Sequence, residues 1–298
     1  MAETCYRHPK RETGVSCSNC GRPICPECMT STSVGMRCPE CASDRTKVRT
    51  AASVRAGGGV EPLATYALLA VNVVAFVAEI MSGAGGDKLL VDGGICANAI
   101  AGDGGLCGIQ NTVIVSDGDE IFRIVSGGFL HAGPVHLLFN MFALYILGTL
   151  LEPAIGHLRF LGIYFAALLA GSFGALLLSD PNEITVGASG GIFGLMGAAF
   201  VIARNRGVDQ IASQIGVFVV LNLVFTFAIP GISIGGHIGG LIGGSLAALL
   251  VTYAERRQTG TTGRAIEAAG ILLIVVASVA GALLAAGASA EPVQALPL

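Results

Sequence analysis

The chain has 298 residues, of which 53% are apolar and only 12% are charged, with 43 Gly and no Trp. That balance excludes a disordered tail, a collagen and a disulfide-stapled secreted domain, and fits a Gly-rich helical membrane protein. The net charge of −3 points to no nucleic-acid partner.

The first element is a cysteine-rich segment, residues 1–45. It reads Cys5-x-x-His8, Cys17-x-x-Cys20, Cys25-x-x-Cys28 and Cys38-x-x-Cys41, four ligand pairs that make two tetrahedral zinc sites. A redox dithiol explains one such pair; four pairs so close together in a cytoplasmic segment favour two structural Zn2+ ions. The spacing leaves open whether pairs one and three share an ion, as in a cross-braced finger, or adjacent pairs do; the interleaved arrangement is preferred. A module this short buries too little apolar surface to fold unaided, so metal binding supplies its folding free energy. Residues 46–62, with Gly57, Gly58 and Gly59, form a linker.

From residue 63 the chain turns apolar. A helix crossing a hydrocarbon core of about 30 Å needs roughly 20 residues, and seven runs approach that length: Leu63 to Met81, Val135 to Leu151, Leu158 to Leu178, Val186 to Ala203, Ile211 to Ile229, Gly235 to Tyr253 and Ile266 to Ala288. The expected class is therefore an all-α polytopic membrane protein, with a membrane domain over 63–288 and an external tail over 289–298. The first run lies sixty residues in, so it is no cleavable signal peptide.

Lys and Arg set the orientation. One side holds Arg7, Lys10, Arg11, Arg22, Arg37, Arg45, Lys47, Arg49 and Arg55, then Arg159, Arg204, Arg206, Arg256, Arg257 and Arg264; the other holds only Lys88 and Arg123. The excess marks the cytoplasmic side. A multi-pass cell-membrane protein with a cytoplasmic amino terminus and an external carboxyl terminus follows. Cys96 and Cys107 then lie in an external loop, where oxidation is permitted, and a disulfide between them is expected.

Polar residues inside spans are functional candidates, because burying them in hydrocarbon is costly. His136 and Asn140 are four apart in the second span, on one helix face. Ser189 and His237 fall in the first few residues of the fourth and sixth spans. All three spans run from outside to inside, so at about 1.5 Å per residue these four side chains lie at similar depth in the outer third of the bilayer. Gly187, Gly190, Gly191 and Gly194 in the fourth span, and Gly235, Gly236, Gly239, Gly240, Gly243 and Gly244 in the sixth, form small-xxx-small faces that let helix backbones approach closely. Packed together, those faces bring the Ser189 hydroxyl towards the His237 imidazole, as a serine nucleophile needs of its general base.

These residues resemble the rhomboid family of intramembrane serine proteases. The likeness rests on His136-Leu137-Leu138-Phe139-Asn140 as the HxxxN motif, Gly187-Ala188-Ser189-Gly190 as the GxSG motif, and Gly236-His237 followed by Ile238-Gly239-Gly240. The family's WR pair appears as Phe122-Arg123, a departure at its first position. The zinc-binding (B-box/RING-like) extension and seventh span are similar to those of actinobacterial rhomboids. The resemblance implies a six-helix rhomboid bundle plus a seventh carboxyl-terminal helix.

It also implies that Ser189 is the nucleophile and His237 the base, and that the oxyanion is met by the Ser189 N–H and Asn140, with His136 assisting. No cofactor enters the chemistry. Glu152 and Glu267 lie at cytoplasmic ends, and Glu79 is the one acid that could approach; a Ser-His dyad is expected. Substrates would be transmembrane helices of other proteins cut near their external ends, with weak helix formers preferred. Membrane lipid and a cytoplasmic partner of the zinc module complete the expected contacts. Rival readings are a catalytically inactive client-binding relative, against which Ser189 and His237 stand, and a transporter or channel, for which inverted repeats are lacking.

Overall fold

The computed structural model describes residues 3–32, 35–43, 60–82, 87–101, 106–109, 112–115, 120–257 and 261–289. Most of the linker and all of the tail beyond residue 289 lie outside the described residues. The chain divides into two compact units, Met1–Gly59 and Val60–Leu298.

The first unit pairs β1 (Glu3–Thr4) with β2 (Glu12–Thr13) and β3 (Thr30–Thr32) with β4 (Gly35–Arg37), both antiparallel, followed by α1 (Pro39–Ser43). Its buried cluster consists of Ile24 and six cysteines. So thin an apolar core gives the fold little hydrophobic stabilisation of its own.

The second unit is helical. Its long elements are α2 (Leu63–Met81), α6 (Pro134–Ile155), α7 (His157–Leu178), α8 (Ser189–Asn205), α9 (Asp209–Ala228), α10 (Ile234–Arg257) and α11 (Thr261–Ser289). Six of these are long and apolar enough to cross a membrane. The exception is α8, 17 residues long, which corresponds to the expected fourth span but begins at Ser189 rather than Val186. Its approach is held extended: Thr185 and Ile95 exchange backbone hydrogen bonds of 2.9 Å, and Gly187 sits at φ +131°, a region that favours glycine. Between α2 and α6 lie α3 (Asp87–Gly93), α4 (Ala97–Ala101), the antiparallel hairpin β5 (Leu106–Ile109) with β6 (Thr112–Val115), and α5 (Arg123–Ser126).

Helices α7, α8 and α10 form the centre, and glycine explains how closely they approach. A Cβ added at Gly240 would lie 2.0 Å from the Gly190 carbonyl oxygen, and one at Gly235 2.0 Å from that of Gly174. The α8 to α10 contact is the one expected from the glycine faces. Helix α7 shares in this contact through Gly171 and Gly174, whose spacing of three residues falls outside the four-residue repeat of the other two glycine faces. Helices α2, α6, α9 and α11 surround this centre and turn large apolar side chains such as Val74, Phe139, Phe225 and Leu273 outward, as lipid-facing surfaces do.

Two polar clusters fix the outer helices. The buried Glu152 carboxylate accepts the backbone N–H groups of Ala64 (2.8 Å) and Thr65 (2.7 Å) and the Thr65 hydroxyl (2.6 Å), and it meets His157 Nδ1. It thereby caps first-turn amides of α2 that no helical carbonyl can reach. Arg159 on α7 holds Glu267 of α11 through two 2.8 Å bonds and Glu255 of α10 through a third. The seventh helix is thus tied to the bundle by a two-pronged ion pair.

Candidate active site

Four elements converge on the candidate site. The α5 turn and the residues after it place the segment before α8, since Gly187 N–H donates to the Gly127 carbonyl at 2.8 Å. Arg123 is fully buried beneath this segment. It donates from Nη1 to the carbonyls of Val91 (2.5 Å) and Gly94 (3.0 Å) and from Nε to Glu120 (2.6 Å). Cys96 and Cys107 form a disulfide with Cα atoms 6.2 Å apart. It joins the residue before α4 to β5, next in sequence to the Ile95–Thr185 bridge.

Ser189 opens α8. The first amides of a helix lack intrahelical acceptors and carry the positive end of its dipole, so an oxyanion formed here meets N–H donors. His136 and Asn140 stand one turn apart on α6, with Asn140 Nδ2 donating to the His136 carbonyl at 3.1 Å. The close approach of His136 explains Gly187: a Cβ there would lie 2.8 Å from His136 Cε1 and 3.6 Å from Ser189 Oγ. His237 lies in the first turn of α10 and is buried.

Ser189, His237, His136 and Asn140 line one cavity of about 660 Å³, whose other walls include Phe139, Met196 and Phe218. Among the described residues no hydrogen bond joins Ser189 to His237; they face a shared space. Catalytic hydrogen bonds often tighten only when substrate is present.

Two side chains at His237 were not anticipated. The Phe193 ring stacks on the imidazole, centroids 4.0 Å apart and planes 18° from parallel. Thr226 Oγ1 on α9 lies 2.7 Å from His237 Nδ1. Phe193 follows Ser189 by four residues, so helical spacing carried a signal for it. Thr226 carried none.

Glu79, Glu152 and Glu267 bond to groups other than Ser189 and His237. Glu79 accepts the backbone N–H of His131 at 3.1 Å, Glu152 caps α2 and Glu267 pairs with Arg159. His131, in the segment before α6, is wholly buried with both ring nitrogens unpartnered. Burial, with His136 beside it, pushes its pKa down to about 4. Asn222 donates to the Phe218 carbonyl of its own helix at 2.8 Å.

In the first unit the eight ligand atoms gather as Cys5, His8, Cys25 and Cys28, and as Cys17, Cys20, Cys38 and Cys41, each group within 4.8 Å. The pairs are interleaved. Zn–S and Zn–N bonds of about 2.3 and 2.0 Å in a tetrahedron imply S···S edges of about 3.8 Å and N···S edges of about 3.5 Å. Cys20 Sγ lies 3.8 Å from Cys38 Sγ, and His8 Nδ1 lies 3.3 Å from Cys25 Sγ and 3.4 Å from Cys28 Sγ. The donor sets fit a metal ion of this size.

A family model for the rhomboid domain matches residues 118–254. The chain is 32% identical over 142 residues to the putative rhomboid protease YdcA of Bacillus subtilis (strain 168), covering 47% of this chain and 71% of that protein. The chain belongs to the rhomboid family. It is also 34% identical over 221 residues to rhomboid protease GluP of the same organism, 73% of this chain but 39% of GluP. Rhomboid-like protease 1 of Toxoplasma gondii is 34% identical over 132 residues, 42% of this chain and 45% of that protein. The chain therefore spans less than half of these last two relatives. The rhomboid-domain match takes in His136, Asn140, Ser189 and His237. This rhomboid's Cys/His clusters and α11 lie outside it.

Proposed function

We propose that this rhomboid is an intramembrane serine protease whose substrates are transmembrane segments of other proteins. The observation that carries the reading is the common cavity: a helix-opening Ser189 and a buried His237 face it from α8 and α10, with His136 and Asn140 on a third wall. Neither a channel nor an inert client-binding fold requires that conjunction.

The chemistry follows from the placement. Ser189 Oγ attacks the scissile carbonyl carbon while His237 Nε2 takes the hydroxyl proton. The oxyanion is met by the Ser189 N–H and the Asn140 amide, with His136 beside it. Collapse of the tetrahedral intermediate breaks the C–N bond, and His237 returns the proton to the leaving amine. Water, deprotonated by the same imidazole, then releases the acyl group from Ser189. Polar groups at membrane depth need a water-accessible cavity, which places cleavage near the external boundary. Zinc in the first unit, held by Cys5, His8, Cys25 and Cys28 and by Cys17, Cys20, Cys38 and Cys41, is structural and stands outside this chemistry. The amino terminus is cytoplasmic and the carboxyl terminus external.

The test is cleavage in proteoliposomes of a single-span substrate carrying Gly or Pro near its external end. Wild type is expected to cut it, while Ser189→Ala and His237→Ala leave it intact. Equal cleavage by Ser189→Ala would overturn the reading.

A further inference from the structure

Helix α9 is the odd member of the bundle. Of its 20 residues, Ala212 and Thr226 are the buried ones; Ile215, Val219 and Leu223 pack partly buried against the core, and Val217, Leu221 and Val224 are exposed. Thr226 is only 2% exposed and is directed at His237. A lipid-facing helix that buries one hydroxyl against a candidate catalytic imidazole gives that hydroxyl a specific electronic environment.

The direction of the hydrogen bond depends on where the Thr226 hydroxyl sends its one proton. Thr226 Oγ1 lies 2.8 Å from the Asn222 carbonyl, one turn back on the same helix, the usual acceptor of a helical threonine hydroxyl. A hydroxyl has one proton, and a carbonyl can only accept. With that proton given to Asn222, the Oγ1 lone pair faces His237 Nδ1 at 2.7 Å, so Nδ1 must carry the hydrogen. A neutral imidazole protonated at Nδ1 presents its lone pair at Nε2. Phe193, stacked on the ring face, restricts rotation about the remaining axis.

We propose that Thr226 is a positioning residue for this rhomboid's reaction: with the Asn222 carbonyl behind it, it holds His237 as the Nδ1–H tautomer and frees Nε2 to take the Ser189 proton. It thereby does with a neutral hydroxyl what a buried carboxylate does in a triad. The inference rests on the serine-protease reading for its catalytic consequence, but the tautomer itself does not.

The full chain in bilayers or micelles provides the test. In wild type, the ¹⁵N spectrum of the His237 imidazole is expected to show a protonated Nδ1 and a bare Nε2. Thr226→Val keeps the shape and removes the acceptor: tautomers should mix, and kcat should fall about 10- to 100-fold with KM within about twofold, a fraction of the usual contribution of a general base. Thr226→Ser should restore the spectrum and kcat. A wild-type spectrum with the proton on Nε2, an unchanged kcat in Thr226→Val, or a loss in folded Thr226→Ser equal to that in Thr226→Val would overturn the proposal. Were wild type itself no more active than Ser189→Ala, the protease reading would fail, and the wild-type spectrum would still decide the tautomer.

Discussion

At the scale of single residues, a serine hydroxyl becomes a useful nucleophile only where a base can take its proton and donors can meet the new charge. In the proposed reaction Asn140 supplies one such donor on α6. Asn140→Ala is expected to lower kcat about 100- to 1000-fold with the fold intact, as loss of one oxyanion donor does; steady-state cleavage kinetics check it. His131 makes a different prediction, about stability. Its ordinary pKa is 6.5 and its folded value about 4, so below pH 6.5 the unfolded chain binds a proton that the folded chain refuses. Stability is therefore full above that point and falls towards pH 4, by at most about 1.4 kcal/mol per unit. Thermal unfolding from pH 7 to 4.5 should be less steeply acid-dependent in His131→Asn than in wild type; identical slopes would count against this role. Ser189, His237, His136 and Asn140 were legible because polar groups stand out in apolar runs. Thr226 and the capping role of Glu152 were not. A threonine is unremarkable in a helix, and the tertiary partners of both residues, His237 and the α2 amides, depend on crossings that spacing alone does not specify.

At the scale of elements, glycine determines how near the helices come. The α8 and α10 faces were readable as four-residue repeats, whereas the contribution of α7 was hidden in an irregular spacing. The start of α8 was misplaced by three residues because hydropathy continues through Val186 while the backbone is held extended by Ile95 and turned at Gly187. Gly240→Ala tests the packing. Its Cβ would meet the Gly190 carbonyl oxygen at 2.0 Å, backbone against backbone with no flexible side chain to yield. A loss of about 1–3 kcal/mol is expected, measured by unfolding in mixed micelles, together with reduced activity because Gly190 adjoins Ser189. Gly287→Ala, where an added Cβ meets nothing within 4 Å, should leave stability nearly unchanged. The ion pair of Arg159 with Glu267 likewise makes α11 part of the bundle although that helix brings no group to the cavity.

At the scale of the whole molecule, two units obey different physics. The second is stabilised by helix packing. The first has a core of one isoleucine and six cysteines, and its folding should depend on metal. Purified protein is expected to carry two zinc equivalents, and strong chelation to abolish the fold of the first unit while the helical unit keeps its circular dichroism. Metal content well below two equivalents would contradict the eight-ligand assignment. The cysteine pairs announced this unit plainly, because ligand spacing is local; the interleaving of the pairs is a property of the folded chain.

The central claim is that Ser189 is an activated nucleophile, and one measurement addresses it most directly. Membranes containing the full chain would be treated with a fluorophosphonate and the adduct located by mass spectrometry. The expected result is a single phosphonylated residue, Ser189, with labelling abolished in His237→Ala. Labelling that persists in Ser189→Ala, or a folded wild type that resists the probe while cleaving substrate, would contradict it.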